Sequence, residues 1–148
     1  MRLRFVCCEC SYFCFIIPVP RMPTLTIRGE GSVEVPSGTR LVNAIRDAGV
    51  DIGHRCGGHA QCTTCRVEIH EGEPSTMTKA EHEKLDTIRQ LGTLRLACQI
   101  RVENDMTVTP LMRLEDQEAW DDTGPAPADT IEPDDTHYPI DSLSDTPA

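Results

Sequence analysis

Arg55-Cys56-Gly57-Gly58-His59-Ala60-Gln61-Cys62-Thr63-Thr64-Cys65-Arg66-Val67 carries three cysteines within ten residues, and a fourth, Cys98, follows 33 positions later in Arg95-Leu96-Ala97-Cys98-Gln99. A C-x5-C-x2-C loop with one remote cysteine is the pattern that wraps a two-iron, two-sulfide cluster in thiolates. Each iron takes two bridging sulfides and two protein sulfurs, so four cysteines complete the set. Three ligands this close together force the backbone to curl, which excludes helix and strand from the loop. Gly57 and Gly58 suit the curl because glycine reaches positive φ without a Cβ clash. Ala60, Thr63 and Thr64 are small enough to leave room for sulfide, and amides freed by irregular backbone can point at sulfur.

The same residues resemble the [2Fe-2S] ferredoxins. A first gap of five residues rather than four is similar to the adrenodoxin-like and related bacterial members. The resemblance implies a β-grasp fold of the α+β class over about 90 residues, with Cys56, Cys62, Cys65 and Cys98 as cluster ligands. An all-cysteine cluster has a low potential, on the order of minus a few hundred millivolts. Arg55 and Arg66 flank the loop and would raise that potential if they lie close.

Other readings of the cysteines are weaker. Structural zinc sites often use paired C-x2-C knuckles, but only Cys62 and Cys65 make one here. Disulfides need an oxidising compartment that nothing else in the sequence indicates. His54 and His59 are not needed as ligands and are expected to face solvent.

Charge divides the chain. It has 148 residues, 24 acids and 14 bases, for a net charge of −10. From Arg113 to Ala148 there are eleven acids and one base, which accounts for the whole excess. That stretch also holds five prolines and few large apolar residues, so residues 113–148 are expected to form an acidic disordered tail. Its simplest use is as a solubilising spacer, and the alternative is recruitment of a basic partner face. An anionic balance argues against nucleic acid as a partner.

Residues 1–21 form an N-terminal extension with Cys7, Cys8, Cys10 and Cys14 in an apolar run. The run is too short and interrupted to span a bilayer. It reads as upstream sequence from a misassigned start, with a membrane or acyl anchor as the other reading. These four cysteines are given no cluster role, and the expected location is cytoplasmic.

Between them, residues 22–112 read as the domain. Leu25 and Ile27, then Val33 and Val35, alternate as a two-stranded hairpin. Thr39 is expected to cap a helix carrying Leu41, Ala44, Ile45 and Ala48, closed by Gly49. Arg66 to His70 alternates as a strand. Thr78-Lys79-Ala80-Glu81 has the form of a capping box and opens a helix with Leu85, Ile88 and Leu91 inward. Residues 99–102 and 106–111 supply the last strands, turned by Glu103-Asn104-Asp105.

No nucleophile–base pair, phosphate loop or dinucleotide fingerprint accompanies the cysteines. The expectation is therefore an electron-transfer protein rather than an enzyme. The resemblance implies a monomeric carrier taking electrons from a ferredoxin reductase to a cytochrome P450, an oxygenase or the iron–sulfur assembly machinery. A redox-sensing or structural [2Fe-2S] module is the alternative. In adrenodoxin-like members docking uses acids on the helix after the cluster loop. Here Lys84 and Arg89 interrupt them, so Glu81, Glu83 and Asp86 are expected to contribute modestly.

Overall fold

The structure is a computed structural model that describes residues 19–144. Expectations for the N-terminal cysteines fall on residues 1–18 and lie outside the described residues, as does the end of the tail at 145–148.

The chain opens with the hairpin of β1 (Thr24–Ile27) and β2 (Gly31–Glu34), in which Leu25 faces Val33 and Thr26 faces Ser32. Leu25 and Ile27 point into the core, as the alternation predicts. Next come β3 (Thr39–Arg40) and α1 (Leu41–Asp47), whose Leu41, Val42, Ala44 and Ile45 are buried. The helix does not use Thr39 as its cap. Thr39 lies in β3 and its hydroxyl donates to Pro36 O at 2.7 Å, while Arg40 occupies the N-cap position without a side-chain cap. The Leu41 N–H is satisfied across the fold instead, by Ile100 O at 2.8 Å.

After the cysteine loop follow β4 (Arg66–Glu71), β5 (Thr76–Thr78), α2 (Lys79–Thr87), β6 (Arg95–Leu96), β7 (Arg101–Val102) and β8 (Met106–Pro110). The main sheet has the order β2-β1-β8-β4-β6, with β1 and β8 parallel and the other pairs antiparallel. This is the β-grasp arrangement. The last two expected strands do not pair with each other, because β7 pairs with β3 and β8 inserts between β1 and β4. Asp105 helps set this register by accepting the Thr24 N–H at 2.9 Å. Leu25, Ile27, Leu41, Ile45, Val67, Leu85 and Val108 meet in one core.

Only half of the capping box forms. Thr78 Oγ1 accepts the Glu81 N–H at 3.2 Å, but the Glu81 carboxylate turns inward to Arg95 Nε and to Leu96 N–H, each at 2.8 Å. Glu81 is 0 % exposed, which removes it from any docking surface, while Glu83 and Asp86 remain exposed.

Over residues 113–144 the disordered tail expected from composition is a strap that packs back across the domain. Ile52 bridges to Arg113, whose guanidinium pairs with Glu30 at 2.6 Å and Glu115 at 3.0 Å. Farther on, β9 (His137–Pro139) pairs with β5, and α3 (Ile140–Ser144) brings Leu143 into the core. Ile131 is 3 % exposed and Leu143 8 %. Burying such side chains contributes about 1.5–3 kcal/mol each. Average composition missed these anchors because they are single apolar residues spaced between acids.

Candidate metal centre

The loop that carries three of the cysteines lies between α1 and β4. It reverses direction through left-handed residues, with φ of 73° at Gly57, 91° at Gly58, 56° at Ala60 and 60° at Thr63. Gly58 has a second requirement, since a Cβ there would meet Arg40 Nη2 at 2.5 Å and Pro127 Cβ at 3.0 Å. Left-handed backbone is unfavourable at a β-branched residue such as Thr63. The Arg66 side chain holds it, with Nε donating to Thr63 O at 2.9 Å and Nη2 to Thr63 Oγ1 at 3.0 Å.

The four cysteines come together as two thiol pairs. Cys56 lies beside Cys62 in a half-buried outer pair, its N–H 3.3 Å from Cys62 Sγ, and Cys65, whose carbonyl accepts the Ala97 N–H at 3.0 Å, lies beside Cys98 in a buried inner pair. Cys62 and Cys65 are three residues apart in the one loop, which brings the pairs next to each other. Among the described residues, no three His, Cys, Asp or Glu side chains surround a single metal position.

Donors converge on the sulfurs. Cys56 N–H points at Cys62 Sγ and His59 N–H at Cys56 Sγ, both at 3.3 Å. Gln99 Nε2 reaches Cys98 Sγ at 3.5 Å. The neighbouring Cys62 thiol is the largest influence holding Cys56 down to about 4, and Cys56 in turn pushes Cys62 up. Cys65 is likewise pushed up by the neighbouring Cys98, which Cys65, then Gln99 and other donors, pull down against burial. Two thiol pairs inside a shell of N–H donors fit an anionic iron–sulfur group with two protein sulfurs per metal.

The surroundings differ from the expectation in one histidine. His59 is on the surface, with Nδ1 3.2 Å from Glu132, but His54 is 1 % exposed. His54 Nδ1 lies 2.9 Å from Pro125 O, so it donates to that carbonyl, and burial lowers the ring's pKa. The strap draws His54 inside. Arg55 stacks on Trp120, its guanidinium carbon 5.1 Å from the ring centroid. Arg66 is occupied with Thr63.

Two buried residues at the site went unnoticed in the sequence. Gln99 accepts from Thr78 Oγ1 at 2.7 Å and donates to Glu132 O at 2.7 Å and Gly58 O at 3.3 Å. Arg40 reaches Gly58, Cys98 and the strap. The only sequence sign of Arg40 was a charge standing next to an apolar helix face.

A family model described as the 2Fe-2S iron-sulfur cluster binding domain matches residues 25–103. The chain belongs to that family. Its cofactor is accordingly a [2Fe-2S] cluster, and its fold is that of the [2Fe-2S] ferredoxins. Rhodocoxin from Rhodococcus erythropolis is 37 % identical over 95 residues, covering 57 % of this chain and 89 % of rhodocoxin. A component of the Na(+)-translocating NADH-quinone reductase of Methylococcus capsulatus is 34 % identical over 89 residues, covering 55 % of this chain but 20 % of that component. The chain thus spans only a small part of the reductase components it matches. Among solved structures, the ISC-like [2Fe-2S] ferredoxin FdxB from Pseudomonas putida superposes with a TM-score of 0.51 at 28 % identity, covering 60 % of this chain and 91 % of that one. Among the described residues no helix is long and apolar enough to cross a membrane.

Proposed function

We propose that Cys56, Cys62, Cys65 and Cys98 hold the cluster and that the protein carries single electrons between a reductase and an acceptor protein. The observation that carries this reading is the gathering of four cysteines, Cys56 beside Cys62 and Cys65 beside Cys98, under N–H donors. The outer pair serves one iron and the inner pair the other. When bound, the cluster supplies a one-electron change of charge with no open coordination position for a substrate.

The residues around it do the rest. Cys65 and Cys98, sealed in the core, exclude water from one side, and the half-exposed Cys56 and Cys62 give electrons the shorter route to the surface. The donors on sulfur stabilise added negative charge without moving. The proposed donor is a flavoprotein ferredoxin reductase. The acceptor is an oxygenase, a cytochrome P450 or the iron–sulfur assembly machinery. With Glu81 buried, only Glu83 and Asp86 of the expected docking acids remain available on α2.

Serine substitution at each cysteine tests the ligand set. Cys65→Ser and Cys98→Ser are expected to abolish the visible spectrum of the protein as purified, while Cys56→Ser and Cys62→Ser shift or weaken it. A full wild-type spectrum in any of the four would remove that residue from the ligand set.

A further inference from the structure

Arg40 is the one fully buried arginine of the described residues that has no acid beside it. It is 1 % exposed, and none of the ion pairs among the described residues includes it. Arg95, nearly as buried, has Glu81 in contact. Arg40 has only backbone carbonyls. Nε donates to Cys98 O at 2.6 Å, Nη2 to Gly58 O, and Nη1 to Ala128 O at 2.8 Å and Thr130 O at 3.0 Å. Four carbonyls take four of the guanidinium's five N–H donors but leave its charge uncompensated, which is costly in a low-dielectric interior.

Two of those carbonyls belong to the cysteine site, one on the ligand Cys98 and one in the loop at Gly58. The other two belong to the strap, which Asn43 also holds by donating to Ala128 O at 3.1 Å. The strap therefore closes the far side of the guanidinium and keeps water from it.

We propose that Arg40 is the buried counter-charge of the cluster, fixed there by the carbonyls of strap residues Ala128 and Thr130, and that it sets the reduction potential. This rests on the four-cysteine reading above. Four thiolates and two sulfides give an oxidised site of about −2 and a reduced one of about −3. A fixed positive charge favours whichever state carries more negative charge, so Arg40 raises the potential. Its role is electrostatic tuning, and the hydrogen bonds serve to place it.

Redox titration of the full chain, followed by visible circular dichroism, separates charge from hydrogen bonding. Arg40→Gln removes the charge, and its reduction equilibrium is expected to move at least tenfold toward the oxidised form, about 59 mV for one electron. Arg40→Lys keeps the charge while losing most of the carbonyl bonds, and is expected to recover more than half of that shift. An unmoved potential in cluster-loaded R40Q overturns the proposal, as does R40K shifted as far as R40Q. If R40Q does not retain the cluster, R40K decides alone: a potential near wild type supports tuning by charge, and a tenfold shift overturns it. Loss of the cluster from both variants, in protein still folded by far-ultraviolet circular dichroism, makes Arg40 a structural anchor and also overturns it. A wild-type protein that takes up no cluster at all fails the parent reading instead.

Discussion

Trp120 lies across Gly53 so closely that a methyl group at position 53 would stand 2.8 Å from the indole ring. The same methyl would stand 2.9 Å from Thr64 Cβ, so Gly53 is the seat on which the strap meets the cysteine loop. Gly53→Ala is therefore expected to lift the indole and loosen the strap at a cost of about 1–3 kcal/mol. Trp120 is the single tryptophan of the chain, so its emission reports the event directly. A red shift with a lower denaturation midpoint is the expected result. Unchanged emission would show that the contact does not seat the strap.

How far the sequence told this in advance depends on the range of the interaction. The cysteine spacing and the left-handed glycines were legible because both are local, and Leu25, Ile27, Leu41 and Ile45 followed from short-period alternation. The strap was not legible. Its anchors Trp120, Ile131 and Leu143 are isolated among acids, and their partners lie far away in the chain. His54 failed for the same reason, since what buries it is the backbone of residues 123–125. Glu81 fitted a capping box by its spacing, yet the side chain's strongest partner, Arg95, lies 14 residues on.

That buried pair yields a second prediction. Glu81 Oε1 accepts Arg95 Nε at 2.8 Å and Oε2 accepts Nη2 at 3.1 Å, with both side chains removed from solvent. Glu81→Gln keeps the shape but leaves the guanidinium only the half-exposed Glu73 carboxylate, 3.4 Å away, as counter-charge, so a loss of about 3 kcal/mol is expected in denaturant unfolding. A loss under about 1 kcal/mol would mean that Glu73 and the Pro74 and Thr76 carbonyls suffice for Arg95.

The far end of the strap should be sensitive to acid. The hydrogen bond from Arg101 is the largest influence holding the Asp135 carboxyl below its ordinary range. A depressed carboxylate contributes stability that is fully present above the unfolded value of about 3.9 and is lost as pH falls through the folded value below it. Hydrogen exchange at the β5–β9 amides is therefore expected to quicken in that acidic window. Asp135→Asn should show fast exchange at every pH without that step. The same acidic step in the variant would assign it to another group.

Removing the metal should loosen one region selectively. Residues 54–65 have little regular hydrogen bonding of their own, and binding energy at a metal site is also folding energy. Chelation is expected to raise hydrogen exchange in residues 54–65 and in strap residues 123–131, while β1, β4 and β8 stay protected. Uniform loss of protection would show instead that the whole fold depends on the cluster.

Electron transfer by this protein requires a reversible one-electron centre held by the four cysteines. Its decisive test is an anaerobic reductive titration of the full chain, followed by electron paramagnetic resonance. The expected result is a silent oxidised protein that gains one rhombic half-spin signal per two irons and loses it on reoxidation. A protein that purifies with zinc despite ample iron, or a cluster that accepts no electron, would contradict it.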